Sequence, residues 1–200
     1  MRRAAIEEQN RDLLARQRDF RIAADVVCDA WASFAEVQAV AVVGSVAKTL
    51  WKEIPRFREF RRQGVEVWRE CADLDLALWL DSQQRLGDLR RTAEKALRAA
   101  YEAGVGISVV GHQLDVFLFE PASDRYLGRL CHFSACPKGK LECQVPDCGA
   151  TPFNRRFADF IPGADLLAGA GDATLYRRGA GRLRSALDLP TPAADRGAAR

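Results

Sequence analysis

A run of seven mostly apolar residues, VQAVAVV at positions 37–43, constrains the fold more than any other feature of the sequence. Its β-branched composition predicts a buried strand. The run ends on Gly44-Ser45, and the next segment, VAKTLWKE, predicts a short helix. Because glycine has no Cβ, another part of the chain or a ligand can approach the backbone closely at Gly44.

Other segments predict four more strands and several helices. The strands are VEVWR at 65–69, LDLALWL at 74–80, ISVV at 107–110 and QLDVFLFE at 113–120. One long helix or two are predicted over 4–35, an amphipathic helix over 82–103, a helical turn or loop opened by Pro55, and a helical region over 152–169.

The order of these elements predicts an α+β fold, a small mixed β-sheet flanked by helices. We expect a single domain over 1–187 with its core at 37–120, a long N-terminal helical region at 4–35, a Cys-rich loop at 131–149, and a disordered tail at 188–200. A hydrophobic content of 48% in 200 residues is enough to bury a sizeable core.

Composition and charge exclude few functions by themselves. The net charge of +3 is too small to indicate nucleic-acid or membrane binding. The N-terminal sequence lacks the apolar stretch of a signal peptide, and the longest apolar run, around 39–47, is far shorter than the roughly 20 residues of a membrane span. We therefore expect a cytoplasmic protein.

Three aspartates lie in or beside the predicted strands. Asp73 and Asp75 are two residues apart, so their side chains point to the same face, and Asp115 lies inside another apolar strand. Paired carboxylates repel each other unless a cation neutralises them, and carboxylate oxygens suit Mg²⁺. Each feature alone has an ordinary explanation: a turn for Gly44-Ser45, a solvated or capping pair for Asp73 and Asp75, and an arginine partner for Asp115.

Taken together, three motifs resemble the nucleotidyltransferases of the DNA polymerase beta superfamily, particularly the minimal type. They are Val43-Gly44-Ser45, Asp73-Leu74-Asp75-Leu76 and Leu114-Asp115-Val116, and the resemblance covers about residues 37–120. The interval between Ser45 and Asp73 is more than twice the usual one in the family. We interpret the extra chain, WKEIPRFREFRRQGVEVWRE, as an insertion beside the active site.

The resemblance implies a Mg²⁺-dependent enzyme that transfers a nucleoside monophosphate from a nucleoside triphosphate, such as ATP, to a hydroxyl. Asp73 and Asp75 would hold the metal ions, and Asp115 would complete the second metal site and assist deprotonation of the hydroxyl. Gly44 and Ser45 would bind the phosphates, together with a helix N-terminus and the charge of Lys48 or Lys52. The acceptor would be a small molecule or a protein side chain, and nucleic acid is not excluded.

The arginines of the insertion, Arg56, Arg58, Arg61 and Arg62, have two interpretations: a solvated helix face, or a basic lip that binds phosphates or a polyanionic acceptor. The interleaved aromatic residues could stack on a base, although packing against the core is the more common role for such residues. These aromatic residues are Trp51, Phe57, Phe60 and Trp68.

The loop at 131–149 is rich in potential zinc ligands. Cys131, Cys136, Cys143 and Cys148, with His132 as an alternative, could hold a structural Zn²⁺, although close Cys-x-x-Cys pairs are absent. Buried free thiols are the alternative, and disulfides are disfavoured in a reducing compartment. His112 is expected to be a hydrogen-bonding residue at the end of a strand.

Two functions other than nucleotidyl transfer fit the same sequence. A non-catalytic nucleotide-binding or antitoxin-like partner protein would keep the fold, and the long N-terminal helix could then dock a helical partner. A zinc-dependent nucleic-acid-binding protein is the third hypothesis, and it predicts stoichiometric Zn²⁺ and salt-sensitive binding.

Overall fold

The long predicted helix, the central strands and the amphipathic helix are all present in the structure, which is a computed structural model. It describes residues 3–50, 55–68, 70–132, 151–155, 162–163 and 165–191. The α-helices are α1 (Arg3–Trp31), α2 (Gly44–Ala47), α3 (Arg58–Arg62) and α4 (Leu86–Glu102), and 3₁₀ turns cover Pro55–Phe57, Gly111–Gln113 and Ala186–Asp188. Within the described ranges, no helix combines the length and the apolar character needed to cross a membrane.

In the described part of the chain, seven strands form one mixed sheet. They are β1 (Val37–Val43), β2 (Leu74–Leu80), β3 (Leu114–Phe119), β4 (Tyr126–Leu130), β5 (Asn154–Arg155), β6 (Thr174–Arg177) and β7 (Gly181–Arg182). Their order across the sheet is β5-β4-β3-β2-β1-β6-β7. The pair β2–β3 is parallel and the remaining pairs are antiparallel, so the predicted mixed sheet is confirmed.

One face of the sheet is covered by α1 and α4, which contribute to the larger hydrophobic core. Leu74, Leu76 and Leu78 of β2 point into this core, where they meet buried residues such as Val27 of α1 and Leu89 of α4. Trp31, at the end of α1, is fully buried and its Nε1 donates a hydrogen bond to the Leu89 carbonyl oxygen at 2.8 Å. This contact fixes the two helices relative to each other.

The opposite face carries a smaller apolar cluster that includes Ala77 and Phe117. Ala170 is buried in this cluster, and Leu166 and Leu167 pack against it, so the segment 165–170 covers the middle of this face. Because side chains alternate along a strand, Asp75 lies on the same face as Ala77, and Asp115 on the same face as Phe117. The carboxylates therefore lie on the face without the long helices.

Two predicted strands are wrong. At 65–69, the described residues form no strand, because side chains bind their backbone: Asn10 donates from Nδ2 to the Glu66 carbonyl at 2.7 Å, and its Oδ1 accepts from the Trp68 amide at 3.4 Å. At 107–110, the chain also has no strand: Ile107 and Val110 are 40% and 43% exposed, and Val109 packs against the main core without strand pairing.

Two predicted helices are also wrong over their described residues. The helix expected at 46–53 ends at Ala47 instead, and Lys48 has an extended backbone; residues 51–54 lie outside the described part of the chain. In the region 152–169, Asn154–Arg155 is a short strand against β4, and the described residues from 165 to 169 form turns. In the region 152–169, the helical spacing of apolar residues is therefore overridden by the strand pairing of Asn154–Arg155 and by the packing of the turns at 165–169 against the sheet.

The described chain continues past the point where the sequence predicts a tail. Ser185 caps the turn Ala186–Asp188 by accepting a hydrogen bond from the Leu187 amide, and Leu189 is buried. Residues 192–200 lie outside the described ranges.

Candidate active site

The parallel pairing of β2 and β3 brings two of the predicted aspartates together. Asp75 is the register partner of Asp115, so the two lie side by side on neighbouring strands. The backbones of neighbouring strands in a sheet are about 4.8 Å apart. Asp73 comes just before β2, is exposed, and is close enough to Asp75 to affect its ionisation. The structure therefore gathers all three predicted carboxylates at one end of the sheet.

Burial and repulsion disfavour the charged form of Asp75. Its pKa is raised from the ordinary aspartate value to about 6, mainly by burial and then by the neighbouring charges of Asp115 and Asp73; Arg129 has the opposite, smaller effect. A cation near these oxygens would favour the ionised form. Binding of a cation at this site would therefore reduce the repulsion among the carboxylates.

Arg129 already supplies one positive charge to this site. Strand β4 places it opposite Phe117 of β3, and its Nη1 lies 3.0 Å from Asp115 Oδ2. The guanidinium also lies over the Phe117 ring, 4.4 Å from its centroid. Arg129 is not predicted from the sequence, because YLGRL at 126–130 is too short to stand out as a strand; its alternating pattern is the available signal.

Gly44 is in close contact with Asp75. Its φ of +67° is unfavourable for other residues, and a Cβ at this position would overlap Asp75 Oδ2 and lie 3.1 Å from Asp75 Cγ. The antiparallel register explains this contact, because Val43 at the end of β1 pairs with Asp75. The group that approaches Gly44 is thus a carboxylate of the chain itself.

Ser45 lies in the short turn of α2 rather than at the start of a longer helix. Its Oγ is 3.4 Å from the Cys71 Sγ, close enough for a weak hydrogen bond. Since α2 has only four residues, it provides much less of a helix N-terminus than the resemblance implied.

Two buried polar residues of α1, both missed in the sequence, hold this turn. Gln17 donates from Nε2 to the carbonyl oxygens of Ser45 at 3.2 Å and Lys48 at 2.7 Å. Arg21 donates from Nε to the Val46 carbonyl at 3.1 Å, and from Nη1 and Nη2 to the carbonyls of Leu189 and Pro190 at 2.7 Å each. The sequence of an amphipathic helix does not distinguish a Gln or an Arg that faces the core from one that faces solvent.

A cleft of about 640 Å³ opens beside Gly44. Its walls are the turn at 44–49, the described segment 166–173 and the segment 184–190, and Lys48 and Arg184 line it. This volume is in the usual range for small-molecule sites. Arg21 holds two of the walls together, because it binds carbonyls of both the 44–49 turn and the 184–190 segment.

The basic insertion is exposed where it is described. Arg56, Arg58 and Arg62 are on the surface, whereas Phe57 and Phe60 pack edge-on with ring centroids 6.3 Å apart. Trp68 packs against the main core, so its expected packing role is confirmed. Trp51 and Lys52 lie outside the described residues.

Three of the four cysteines predicted to bind zinc lie outside the described part of the chain. These are Cys136, Cys143 and Cys148, and only Cys131, which is buried, and His132, which is partly buried, are described. His112 is in the 3₁₀ turn that leads into β3, in agreement with its predicted place at a strand end. The zinc site stays a prediction.

The carboxylate site suits a divalent cation in its chemistry. Three carboxylates, a raised aspartate pKa and a glycine that leaves room for Asp75 form a hard-oxygen donor set. The side chains are not arranged around a common point, however, since no group of three or more His, Cys, Asp or Glu residues in the described ranges is positioned to hold a metal ion. Asp115 forms an ion pair with Arg129. To bind a cation, Asp115 would have to share its carboxylate oxygens between the cation and Arg129, or rotate away from Arg129.

The fold and the site define a mixed α+β protein with a carboxylate cluster at one end of its sheet. No protein-family model, curated protein or solved structure matches the chain.

Proposed function

We propose that the protein is a Mg²⁺-dependent nucleotidyltransferase that transfers a nucleoside monophosphate from a nucleoside triphosphate to a hydroxyl group and releases pyrophosphate. The observation that carries the proposal is the β2–β3 register, which pairs Asp75 with Asp115. The contact between Gly44 and Asp75 adds to it, because it joins two motifs that the sequence separates by a long insertion.

Each residue of the site has a role in this reaction. The acceptor oxygen attacks the α-phosphorus, the bond from that phosphorus to the pyrophosphate oxygen breaks, and the hydroxyl proton passes to the Asp115 carboxylate. Asp73 and Asp75 would hold the divalent cation, which when bound stabilises negative charge on the attacking and leaving oxygens. The neighbouring cleft is lined by Lys48 and Arg184 together with Asp172 and Asp188, and its two basic side chains would contact the phosphates.

Label transfer tests the proposal directly. We would incubate the purified protein with nucleoside triphosphates labelled at the α-phosphate, Mg²⁺ and cell extract, and would separate protein, nucleic-acid and small-molecule products. We expect Asp75→Asn and Asp115→Asn to lower transfer on the order of 100-fold or more. The matched control is Asp81→Asn, because Asp81 follows the opposite end of β2 and pairs with Arg178 at 3.2 Å, away from the site.

Label that persists in the two site variants would show that these carboxylates do not catalyse the transfer. Label that is lost equally in Asp81→Asn would indicate a general effect of charge or folding. The class of the labelled product would identify the acceptor.

A non-catalytic nucleotide-binding protein is the second candidate, favoured by the ion pair between Arg129 and Asp115. This pair occupies one of the carboxylates that transfer needs. Nucleotide binding that is unaffected by Asp75→Asn, together with no label transfer to any acceptor, would support this alternative.

A further inference from the structure

Two arginines continue the carboxylate face of the sheet beyond Asp115. The register pairs Arg129 of β4 with Phe117 of β3 on one side and with Arg155 of β5 on the other. Residues directly opposite each other on neighbouring strands share a face of the sheet, and Phe117 shares its face with Asp115. Arg129 and Arg155 therefore lie on the carboxylate face, on the side of Asp115 away from Asp75.

The backbone of β5 is held firmly, although the strand has only two residues. Asn154, the first of them, is 5% exposed. Its Nδ2 donates hydrogen bonds to the Leu127 carbonyl oxygen at 2.9 Å and to Gln83 Oε1 at 2.6 Å. Because Asn154 precedes Arg155, these bonds fix the backbone of Arg155 beside that of Arg129.

The two arginines place like charges next to each other. Like charges directly opposite one another on neighbouring strands destabilise a sheet. Asp115, at 3.0 Å from Arg129, offsets part of this repulsion. Burial lowers the pKa of His132, just after β4, and the positive charge of Arg155 is the next cause, whereas Asp115 has the opposite effect. An anion in contact with both guanidinium groups would offset the repulsion between them.

The arginine pair and the cleft beside Gly44 lie on opposite sides of the aspartates. In the sheet, β5 and β4 come before β3, whereas β1, which leads into Gly44, lies beyond β2. The proposed reaction is an in-line displacement, in which the attacking oxygen and the leaving oxygen are on opposite sides of the α-phosphorus. With the pyrophosphate on the side of Gly44, the acceptor would approach from the side of Arg129 and Arg155.

We infer that Arg129 and Arg155 bind a phosphate group of the acceptor, which is therefore a small phosphomonoester with a hydroxyl close to its phosphate. The inference rests on the proposed function and adds the chemical class of the acceptor to it. A phosphomonoester has enough oxygens to accept hydrogen bonds from two guanidinium groups, whereas a carboxylate has only two oxygens. Since Arg129 contacts Asp115, a phosphate bound there would place a hydroxyl a few bonds away within reach of the Asp115 carboxylate, which takes its proton.

Phosphate binding is measured by calorimetry with glycerol 3-phosphate as the probe and glycerol as its control, without nucleotide or metal. We expect Arg155→Gln to weaken binding about tenfold or more, because it removes charge-assisted hydrogen bonds, and Arg155→Lys to weaken it less. The matched control is Arg125→Gln, since Arg125 is 64% exposed, pairs with Glu120 and lies at the opposite end of β3 from Asp115. No binding to the wild type, or equal binding to Arg155→Gln, would overturn the inference.

Label transfer tests the class of the acceptor. Cell extract is treated with alkaline phosphatase, which removes phosphomonoesters, and the phosphatase is removed before the labelled nucleoside triphosphate is added. We expect the treated extract to give at least tenfold less labelled small-molecule product. Arg155→Gln should cause a similar loss with untreated extract, while it binds a nucleotide analogue with a methylene bridge between the α- and β-phosphates as the wild type does.

The outcomes separate this inference from the proposed function. Transfer that needs Asp75 but is unaffected by phosphatase treatment would overturn the inference alone. Weaker binding of the analogue to Arg155→Gln would also overturn it, because the arginines would then hold the nucleotide. Transfer that persists in Asp75→Asn, or no transfer at all, would remove the proposed function and this acceptor site with it. Thermal unfolding checks each variant, and the phosphatase result does not depend on any variant.

Discussion

At the residue scale, Gly44 and Asp75 depend on each other. The carboxylate of Asp75 occupies the space that any side chain at position 44 would need. Gly44 therefore serves the site through a contact within the protein, and a positive φ makes the position still more restrictive.

Gly44→Ala should destabilise the protein and displace Asp75. We expect a loss in the free energy of unfolding on the order of 2–4 kcal/mol, from the positive φ and from the overlap with Asp75, measured by urea unfolding. The control is Gly104→Ala, which has a φ of +74° and nothing within 4 Å of an added Cβ, so it bears only the backbone cost of about 1–2 kcal/mol. Equal losses in the two variants would contradict the contact.

Asp75 should make the stability of the metal-free protein depend on pH. Its pKa is about 6 in the folded chain and 3.8 as the ordinary value, so the folded state binds the proton more tightly. Protonation therefore stabilises the fold: the contribution is fully present below about pH 4 and is lost as the pH rises through 6.

Asp75→Asn removes this titration. In buffer with a chelator, the variant should be more stable than the wild type by up to about 3 kcal/mol at pH 8, and the advantage should disappear near pH 4. Urea unfolding of both proteins from pH 4 to 8 measures the difference. A difference that stays constant with pH would show that Asp75 has an ordinary pKa.

At the element scale, the strongest local patterns predicted the structure well. The runs at 37–43, 74–80 and 113–120 and the amphipathic pattern at 82–103 correspond to β1, β2, β3 and α4, because long apolar runs and clear periodicity leave few alternatives. The weaker patterns at 65–69 and 107–110 failed, since a few β-branched residues do not make a strand without a partner.

The short strands were not predicted at all. β5 and β7 have two residues each, and β6 has four, so none is long enough to show an alternating pattern. β5 pairs with β4, β6 with β1 and β7 with β6, through chain segments that return to the sheet. Element identity at the edges of the sheet was therefore decided by tertiary contacts.

At the scale of the whole molecule, Arg21 connects distant parts of the chain. It lies in α1, is 2% exposed, and donates to carbonyls in the α2 turn and in the segment that follows Ala186–Asp188. Through these bonds one guanidinium holds the first helix, the Gly44 turn and the last described residues together.

Arg21→Met should loosen this connection. The variant leaves the carbonyl groups of the buried residues Val46 and Leu189, and that of the exposed Pro190, without their donor, and we expect a loss in the free energy of unfolding of about 2–4 kcal/mol. The C-terminal segment should also become sensitive to protease near Arg184, as mass spectrometry of the fragments would show. The control is Arg18→Met on the same helix, whose side chain is exposed. Equal stability and cleavage in both variants would contradict the role of Arg21.

The sequence by itself determined the central strands, the two long helices and the positions of Asp73, Asp75 and Asp115 within them, because these follow from local periodicity. Only the tertiary structure decided that Asp75 lies beside Asp115 and against Gly44, and that Arg129, Gln17 and Arg21 support the site. The physical reason is that strand register and buried polar contacts join residues far apart in the chain, and no local pattern specifies such pairs.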